Sequence, residues 1–294
     1  MKPLKNFSLI LLCLFLCSAQ VQASSAKKKS ITFHCGGRDS LPFSIVVLRN
    51  YPPFSWTQIN KENGREERMG FILDAIEETI KEVNIETVRN QFFDSFQQTQ
   101  KAMLRGNAAF SFLSYYIDEA QSGQDYAYPA YFGNPFIVVS RSSKAIEVSD
   151  LSDLKGLKGV VREEEGIEPL VRNTLPTDTK LEIVSGAETA FRKLLSGEVD
   201  YMLTSKYAAE AEARRFKVRE ILHFGNTALR HVKYFISFSK MSPCRSYKKI
   251  FSEHFKEKIK NKVEMEKNLQ KHILLWADMH RDEPPLVYKL SESE

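Results

Sequence analysis

The sequence predicts an α/β protein with two lobes, and three observations support this fold class. Short apolar runs typical of strands alternate with helices of amphipathic spacing along most of the chain. One helix–turn–strand pattern occurs twice, at residues 103–110 and 194–201. The length of 294 residues allows two domains of about 100–150 residues each. This alternation favours mostly parallel sheets.

The individual elements follow from apolar spacing and from turn and capping residues. Strands are predicted at residues 43–48, 110–113, 135–140, 159–161, 181–184, 200–203 and 234–238. Helices are predicted from Gly70 to Val83, from the capping residue Ser95 to Gly106, and over residues 166–172, 185–197, 206–215, 247–259 and 265–279. The helix at 185–197 is expected to start with a capping box of Ser185 and Glu188.

Composition and charge exclude several classes of protein. Hydrophobic residues make up 43% of the chain and charged residues 27%, which is ordinary for a globular protein and excludes a disordered or low-complexity chain. The formal net charge is only +5, and no basic block stands out apart from residues 27–29. We therefore expect no nucleic-acid partner.

The first 23 residues have the features of a secretory signal peptide. Lys2 and Lys5 precede an apolar run at residues 9–17, and small residues allow cleavage after Ala23. The run is half the roughly 20 residues that span a bilayer, and Cys17 lacks the preceding small residues that lipidation needs. Removal of Lys2 and Lys5 from the 42 basic residues leaves 40 against 37 acidic ones, a net charge of +3.

Cys35 and Cys244 are the cysteines that remain after the signal peptide. In an oxidising compartment two cysteines can form one disulfide across a long loop, and this is our expectation. Two buried free thiols are the first alternative. A reactive cysteine is the second, although neither cysteine lies in a C-x-x-C motif.

The sequence shows no catalytic or metal-binding motif. The six histidines are scattered, and neither a G-x-S-x-G motif nor a phosphate-binding glycine loop is present, so we expect no cofactor and no metal. The acidic run Glu163–Glu165 follows a predicted strand, where a cleft would lie. It is either a solvated loop or a source of a carboxylate for a cationic ligand or for general base catalysis. Arg162 beside it is a candidate partner for an anion.

Aromatic residues follow two predicted strands. Tyr51, Phe54 and Trp56 follow the first strand, and Tyr115 and Tyr116 follow the strand at 110–113. Strand ends of this kind form the ligand crevice of an open α/β sheet, and aromatic walls suit a small-molecule pocket. Core packing between the lobes is the alternative.

Six short segments occur in an order that resembles one known family. They are Tyr51-Pro52-Pro53-Phe54, Gly70-Phe71-Ile72-Leu73-Asp74, Leu104-Arg105-Gly106, Tyr126-Ala127-Tyr128-Pro129-Ala130-Tyr131, Leu151-Ser152-Asp153-Leu154-Lys155-Gly156 and Leu195-Ser196-Gly197-Glu198-Val199-Asp200. With them the chain resembles the family 3 periplasmic solute-binding proteins, the extracytoplasmic receptors of polar amino-acid ABC transporters.

The resemblance implies two α/β lobes that close on a small-molecule ligand about two crossover segments. Lobe 1 would comprise residues 24–140 and 232–294, and lobe 2 residues 141–231. The protein would be a periplasmic monomer that delivers its ligand to an ABC permease or acts without one. Phe54 would cover the ligand, and Cys244 would tie the extension that carries Cys35 to lobe 1.

The chain departs from the family at the two charged positions that hold an amino acid. The arginine that binds the α-carboxylate is replaced by Ala120 or Gln121, depending on the alignment, and the aspartate for the α-ammonium group by Ser205. The resemblance therefore implies a receptor whose ligand is not a common L-amino acid. Ser114, Arg162 and Lys206 could form an anion site of different geometry.

The predicted ligand-binding residues thus combine the aromatic residues with the polar ones. They are Tyr51, Phe54, Ser114, Tyr115, Tyr116, Arg162 and Ser205. A solute receptor without catalysis is the main functional prediction. The alternatives are a dehydratase-like enzyme on the same fold and a ligand-sensing receptor.

Overall fold

The computed structural model describes Cys35 and residues 42–116 and 123–288. The signal peptide, the basic residues 27–29, Ala120 and Gln121 lie outside the described residues. The strands in chain order are β1 (Phe43–Leu48), β2 (Asn50–Tyr51), β3 (Ser55–Ile59), β4 (Glu66–Met69), β5 (Val88–Phe93), β6 (Phe110–Tyr115), β7 (Gln124–Tyr126), β8 (Phe132–Arg141), β9 (Lys158–Arg162), β10 (Lys180–Val184), β11 (Tyr201–Ser205), β12 (Leu222–Phe224) and β13 (Arg230–Ser239). The α-helices are α1 (Leu73–Glu82), α2 (Phe96–Leu104), α3 (Glu168–Val171), α4 (Ala187–Ser196), α5 (Lys206–Arg215), α6 (Lys248–Ile259) and α7 (Lys262–Met279).

Ten strands form one mixed sheet in which two long strands lie at the centre. The order is β10-β9-β11-β8-β13-β6-β1-β5, with β12 beside β8 and β7 beside β13. Strand β1 pairs in parallel with β5 and β6, and β9 pairs in parallel with β10 and β11. We call these two groups, with their helices, the β1 side and the β9 side.

The prediction of mostly parallel sheets is right for the two sides and wrong for the centre. The ten-residue strands β8 and β13 run antiparallel to each other, to β11 and to β6. They lie where the sequence predicts the crossover segments. Each side therefore keeps the parallel order that strand–helix alternation favours, and the antiparallel strands connect the two sides.

Burial explains why the strand and helix patterns are so apolar. All six residues of β1 are buried, as expected of a strand that is covered on both faces. Helix α1 buries its apolar face and packs against α6. Cys35 and Cys244 are buried and joined in the predicted disulfide, with their Cα atoms 4.7 Å apart.

The repeated helix–turn–strand pattern has the same geometry in both places. Gly106 and Gly197 have φ values of 73° and 85° at the ends of α2 and α4, and each precedes a buried strand. This left-handed conformation is one that glycine adopts without the steric cost of a Cβ atom.

The two predicted capping residues have different outcomes. Ser95 Oγ accepts a hydrogen bond from Gln98 N at 3.3 Å, as predicted. The capping box at Ser185 is wrong, because Ser185 Oγ donates to Glu164 Oε1 at 3.2 Å and Gly186 is the N-cap residue of α4.

The C-terminal helix and the segment after it contact both sides of the sheet. In α7, Asn268 Nδ2 donates to Phe71 O next to the β1 side, and Trp276 Nε1 donates to Glu212 Oε2 of α5 at 3.3 Å. After α7, Leu286 is buried in the apolar cluster of the β9 side, and its backbone N donates to Phe216 O at 3.1 Å. In the described residues no helix is both long and apolar enough to cross a membrane.

Candidate functional site

Six of the seven predicted ligand-binding residues are buried. Tyr51, Phe54, Ser114, Tyr115, Arg162 and Ser205 each expose 6% or less of their surface, whereas Tyr116 exposes 54%. Several of them meet where the β1 side faces the β9 side. We define the central cluster as Tyr51, Asn134, Arg162, Glu165, Ser205 and Tyr234.

The uncharged members of the central cluster form a closed chain of hydrogen bonds. The hydroxyl oxygens of Tyr51 and Tyr234 lie 2.9 Å apart. Asn134 Nδ2 donates to Tyr234 Oη at 2.9 Å and to Tyr51 Oη at 3.2 Å. Ser205 Oγ completes the chain by donating to Asn134 Oδ1 at 2.7 Å. These polar atoms are therefore satisfied by one another rather than exposed to a ligand.

Arg162 lies at the end of β9, and its charge is compensated by carboxylates. Its Nε donates to Glu165 Oε1 at 2.8 Å, and its guanidinium carbon lies 5.9 Å from the ring centroid of Tyr51. Burial alone would lower the pKa of Arg162, but the neighbouring carboxylates of Glu165, Glu212 and Glu164 raise it above the ordinary value. Arg162 therefore stays charged, with Glu165 as its hydrogen-bonded partner.

Glu165 also connects to the start of helix α5. Its carboxylate accepts hydrogen bonds from Ser205 N at 2.8 Å and from Thr204 Oγ1 at 2.5 Å. The first of these donors lies at a helix N-terminus, where a negative charge is stabilised. The carboxylate thus occupies the anion-binding position that the helix offers.

The buried tyrosines are poor candidates for acid–base chemistry. Burial, with smaller contributions from Tyr234 and Glu165, raises the pKa of Tyr51 and that of Tyr115 well above the usual value. Both side chains are neutral phenols at neutral pH. They can donate and accept hydrogen bonds, and they do not serve as general bases there.

Phe54 packs inside an aromatic group instead of lining an open surface. It exposes 0% of its surface. Its ring centroid lies 5.1–6.3 Å from those of five other residues, namely Tyr51, Phe71, Phe132, Tyr207 and Tyr234. In this conformation Phe54 is part of the contact between the two sides.

Ser114 belongs to a separate hydrogen-bond network on the β1 side. Its Oγ donates to Gln124 Oε1 at 2.6 Å and lies 2.7 Å from Ser237 Oγ. Lys206 is exposed at the first turn of α5. The structure therefore does not bring Ser114 and Lys206 together with Arg162 in one anion site.

An open cavity lies next to the central cluster, and we call it the edge cavity. It has a volume of about 690 Å³. Its lining residues are Phe96, Gln97, Gln100, Tyr115, Tyr116, Arg162, Glu163, Gly166, Glu168 and Ile183. Its walls come from both sides of the sheet, because the first five residues lie on the β1 side and the rest follow or belong to β9 and β10.

The two sides touch closely at the inner wall of the edge cavity. The rings of Phe96 and Tyr115 are stacked with centroids 3.9 Å apart, and Tyr115 Oη donates to Glu165 O at 2.9 Å. Gly166 faces this pair so tightly that a Cβ atom there would lie 2.1 Å from Tyr115 Oη. The phenol of Tyr115 thus links the edge cavity to the central cluster.

A second, basic cavity shares Tyr115 and Tyr116 with the edge cavity. It has a volume of about 280 Å³, and its other lining residues are Arg230, His231, Val232, Lys233 and Phe235. The basic cavity thus contains cationic side chains, whereas the edge cavity contains the carboxylates of Glu163 and Glu168 together with Arg162. Among the residues that the structure describes, no group of three or more histidine, cysteine, aspartate or glutamate side chains could hold a metal ion.

The sequence predicts part of this site and misses the rest. Tyr115, Tyr116 and Arg162 line the edge cavity, and the acidic run supplies Glu163. Phe96, Gly166 and Ile183 are missed, because a phenylalanine after a helix cap and an isoleucine in a strand are ordinary core signals. Only the position of Gly166 after a predicted strand end could have drawn attention to it.

Comparisons with known proteins identify the fold. No protein-family model and no curated protein sequence matches the chain significantly. The amino acid ABC transporter substrate-binding protein AbpA from Streptococcus pneumoniae, solved with L-arginine, matches with a TM-score of 0.64 at 16% identity, over 80% of this chain and 96% of that chain. A histidine kinase sensor domain with similarity to periplasmic binding proteins matches with a TM-score of 0.61 at 18% identity, over 78% and 95%. An ancestral amino acid-binding protein, a precursor of cyclohexadienyl dehydratase, matches with a TM-score of 0.59 at 18% identity, over 79% and 95%.

These similarities confirm the predicted fold class. The chain has the two-lobed α/β fold of the periplasmic binding proteins, and β8 and β13 are the long segments that connect its two sides. The three proteins named above are a transport receptor, a sensor domain and a precursor of an enzyme. At identities of 16–18% they establish the fold and leave the function to the residues of this chain.

Proposed function

We propose that the protein is a periplasmic receptor that captures a small molecule between two lobes. Lobe 1 comprises residues 24–140 and 232–294, and lobe 2 residues 141–231. The observation that carries the proposal is the edge cavity, because its walls come from both sides of the sheet. A molecule in this cavity contacts both lobes and therefore stabilises the closed arrangement relative to an open one.

The proposed ligand is not a common L-amino acid. A buried α-carboxylate and α-ammonium each need a charged or multiply hydrogen-bonded partner. In the central cluster Arg162 is already paired with Glu165, and Ser205 Oγ is engaged with Asn134 and with Ala208 N. The charged groups of an amino acid would have to displace these contacts.

Delivery to an ABC permease is the proposed role of the receptor, with ligand sensing as the alternative. The fold similarity to a transporter receptor supports the first role, and the similarity to a histidine kinase sensor domain supports the second. A catalytic role has less support. Glu164 and Glu165 are buried and hydrogen-bonded, so only Glu163 of the acidic run is exposed at the cavity.

The experiment is a binding screen combined with a measurement of shape. Thermal shift and calorimetry are carried out with the twenty amino acids and with panels of organic acids, amines and peptides. Small-angle scattering then compares the radius of gyration with and without each compound that binds. We expect a non-standard solute to bind, to raise the melting temperature and to keep the radius of gyration at its compact value.

Two results would contradict the proposal in different ways. Micromolar binding of an ordinary polar amino acid would overturn the ligand class and leave the receptor function intact. Failure of every compound to bind, together with the absence of a co-purifying small molecule by mass spectrometry, would overturn the receptor function itself.

A further inference from the structure

We propose that the edge cavity selects an organic cation, namely a protonated amine or a quaternary ammonium group attached to an apolar or aromatic body. This inference rests on the proposed function, because it takes the edge cavity to be the solute site. It adds the chemical class of the solute. Three features of the cavity carry it: a free carboxylate, an excess of negative charge and exposed aromatic surface.

Glu163 supplies the free carboxylate. It is exposed at the cavity, and its side chain has no hydrogen-bond or ion-pair partner among residues 42–116 and 123–288. The other lining carboxylate, that of Glu168, forms an ion pair with Arg172. A cation that enters the cavity therefore finds one carboxylate whose charge no protein group already balances.

Negative charge exceeds positive charge around the inner wall. Arg162 is the one cation among the lining residues. The carboxylates of Glu164 and Glu165 lie beside it, and Glu212, which is also near, is shared with Arg215. The two terminal nitrogens of Arg162 have no hydrogen-bond acceptor in the described part of the chain, yet the side chain exposes only 1% of its surface. Arg162 therefore offsets buried carboxylates and does not leave the cavity positive.

The aromatic surface suits the body and the charge of such a ligand. Tyr116 exposes 54% of its surface, and the edges of the stacked, largely buried rings of Phe96 and Tyr115 also line the cavity. Ile183 adds an apolar side chain that is 44% exposed. A cation is attracted to the face of an aromatic ring, and quaternary ammonium groups are bound in this way by aromatic side chains.

The neighbouring basic cavity should direct cations and anions to different cavities. On its side of Tyr116 lie Arg230, His231 and Lys233, so a cation is repelled there and attracted towards Glu163. An anion has the opposite preference. The volume of about 690 Å³ falls in the range of about 300–1,000 Å³ that is usual for small-molecule sites.

The test is calorimetry at low ionic strength with matched probes. Phenethylamine is compared with phenylacetate, and choline with its uncharged analogue 3,3-dimethylbutan-1-ol. We expect each cation to bind at least about fivefold more tightly than its matched probe. Equal or tighter binding of phenylacetate would overturn the inference.

Variants then locate the bound cation. Glu163→Gln should weaken phenethylamine binding by about three- to tenfold, and Tyr116→Ala by a similar factor, whereas Tyr116→Phe should keep the affinity because the ring face remains. Glu257→Gln on α6 removes the same charge from an exposed residue that does not line the cavity and should leave the affinity unchanged. Lys233→Gln should weaken only phenylacetate.

The outcomes separate this inference from the proposed function. An unchanged affinity in Glu163→Gln, with the melting temperature intact, would overturn the cation site. Binding of a different solute with no response to either cation would overturn the inference and leave the receptor function standing. Binding of no solute at all would overturn both.

Discussion

The central cluster and the edge cavity lie side by side between the same two sides of the sheet, and they are built in opposite ways. In the central cluster Arg162 and Glu165 are buried and paired, and the hydroxyl of Ser205 is engaged by Asn134. At the edge cavity Glu163 and Tyr116 are exposed. The centre therefore stabilises the contact between the sides without a ligand, while the exposed carboxylate and aromatic ring lie at the edge.

Truncation of Phe54 should change stability most, and it distinguishes packing at the centre from exposure at the edge. Phe54→Ala removes a fully buried ring with five aromatic neighbours, so we expect the free energy of unfolding to fall by about 3–5 kcal/mol. Urea denaturation of the free protein measures this change. Tyr116→Ala, at the exposed edge, should lower the same free energy by less than about 0.5 kcal/mol.

A stable Phe54→Ala variant with weakened ligand binding would reverse the comparison. Phe54 would then cover a ligand, as the sequence predicts, and the central cluster would be a ligand site. A loss of stability with intact ligand affinity would instead assign Phe54 to the core.

A smaller effect is expected where the two sides touch at Gly166. Its φ is +59°, and a Cβ atom would meet Tyr115 Oη at 2.1 Å, so Gly166→Ala adds both backbone strain and a clash between the sides. We expect a loss of about 2–4 kcal/mol in the free energy of unfolding and a larger radius of gyration. Gly156→Ala is the matched control, because Gly156 has a φ of +75° with nothing within 4 Å of the added atom.

The control separates the cost of the steric contact at Gly166 from the cost of the backbone conformation. Gly156→Ala should cost only the strain of about 1–2 kcal/mol and leave the radius of gyration unchanged. If the two variants had the same stability and the same radius of gyration, the close approach at Gly166 would contribute nothing to holding the sides together.

The elements of the fold were largely predictable from the sequence because their signals are local. The spacing of apolar residues identifies β1 and α5 with the bounds that the structure has, and glycine marks the ends of α2 and α4. The hairpin of β3 and β4 and the strand β5 were not predicted. Their residues are mostly half-buried, so they lack the apolar alternation that identifies a strand.

The state of the site was not predictable, because it depends on contacts between distant residues. The sequence places Arg162 at a strand end, but it does not show that the carboxylate of Glu165 pairs with Arg162. The same carboxylate also accepts a hydrogen bond from the start of α5. The local sequence pattern is the same whether an arginine or a phenylalanine faces an open cleft or is buried in a contact between two parts of the fold. Only the arrangement of the two sides distinguishes them.

A weaker change is expected in the pH dependence of stability, and it comes from a buried contact and not from the edge cavity. His272 is buried in α7, with its Nδ1 2.8 Å from Asn268 O and its ring 5.7 Å from that of Trp56. Burial lowers the pKa of His272 below the ordinary value of 6.5 because it disfavours the charged imidazolium. The folded state therefore binds this proton less readily than the unfolded state.

The sign of the effect follows from that difference. Well above pH 6.5 the histidine is neutral in both states and contributes no pH dependence. As the pH falls through 6.5 towards the lowered pKa, the unfolded state gains the proton first and the free energy of unfolding decreases. We expect His272→Gln to lose less stability than the wild type between pH 7 and pH 5, as measured by urea denaturation across that range. Glu257→Gln on α6 serves as a control for a general change in charge. If His272→Gln and the wild type lost stability in parallel, the buried contact of α7 would not be the source of the pH dependence, and the acid sensitivity of the protein would have to arise elsewhere.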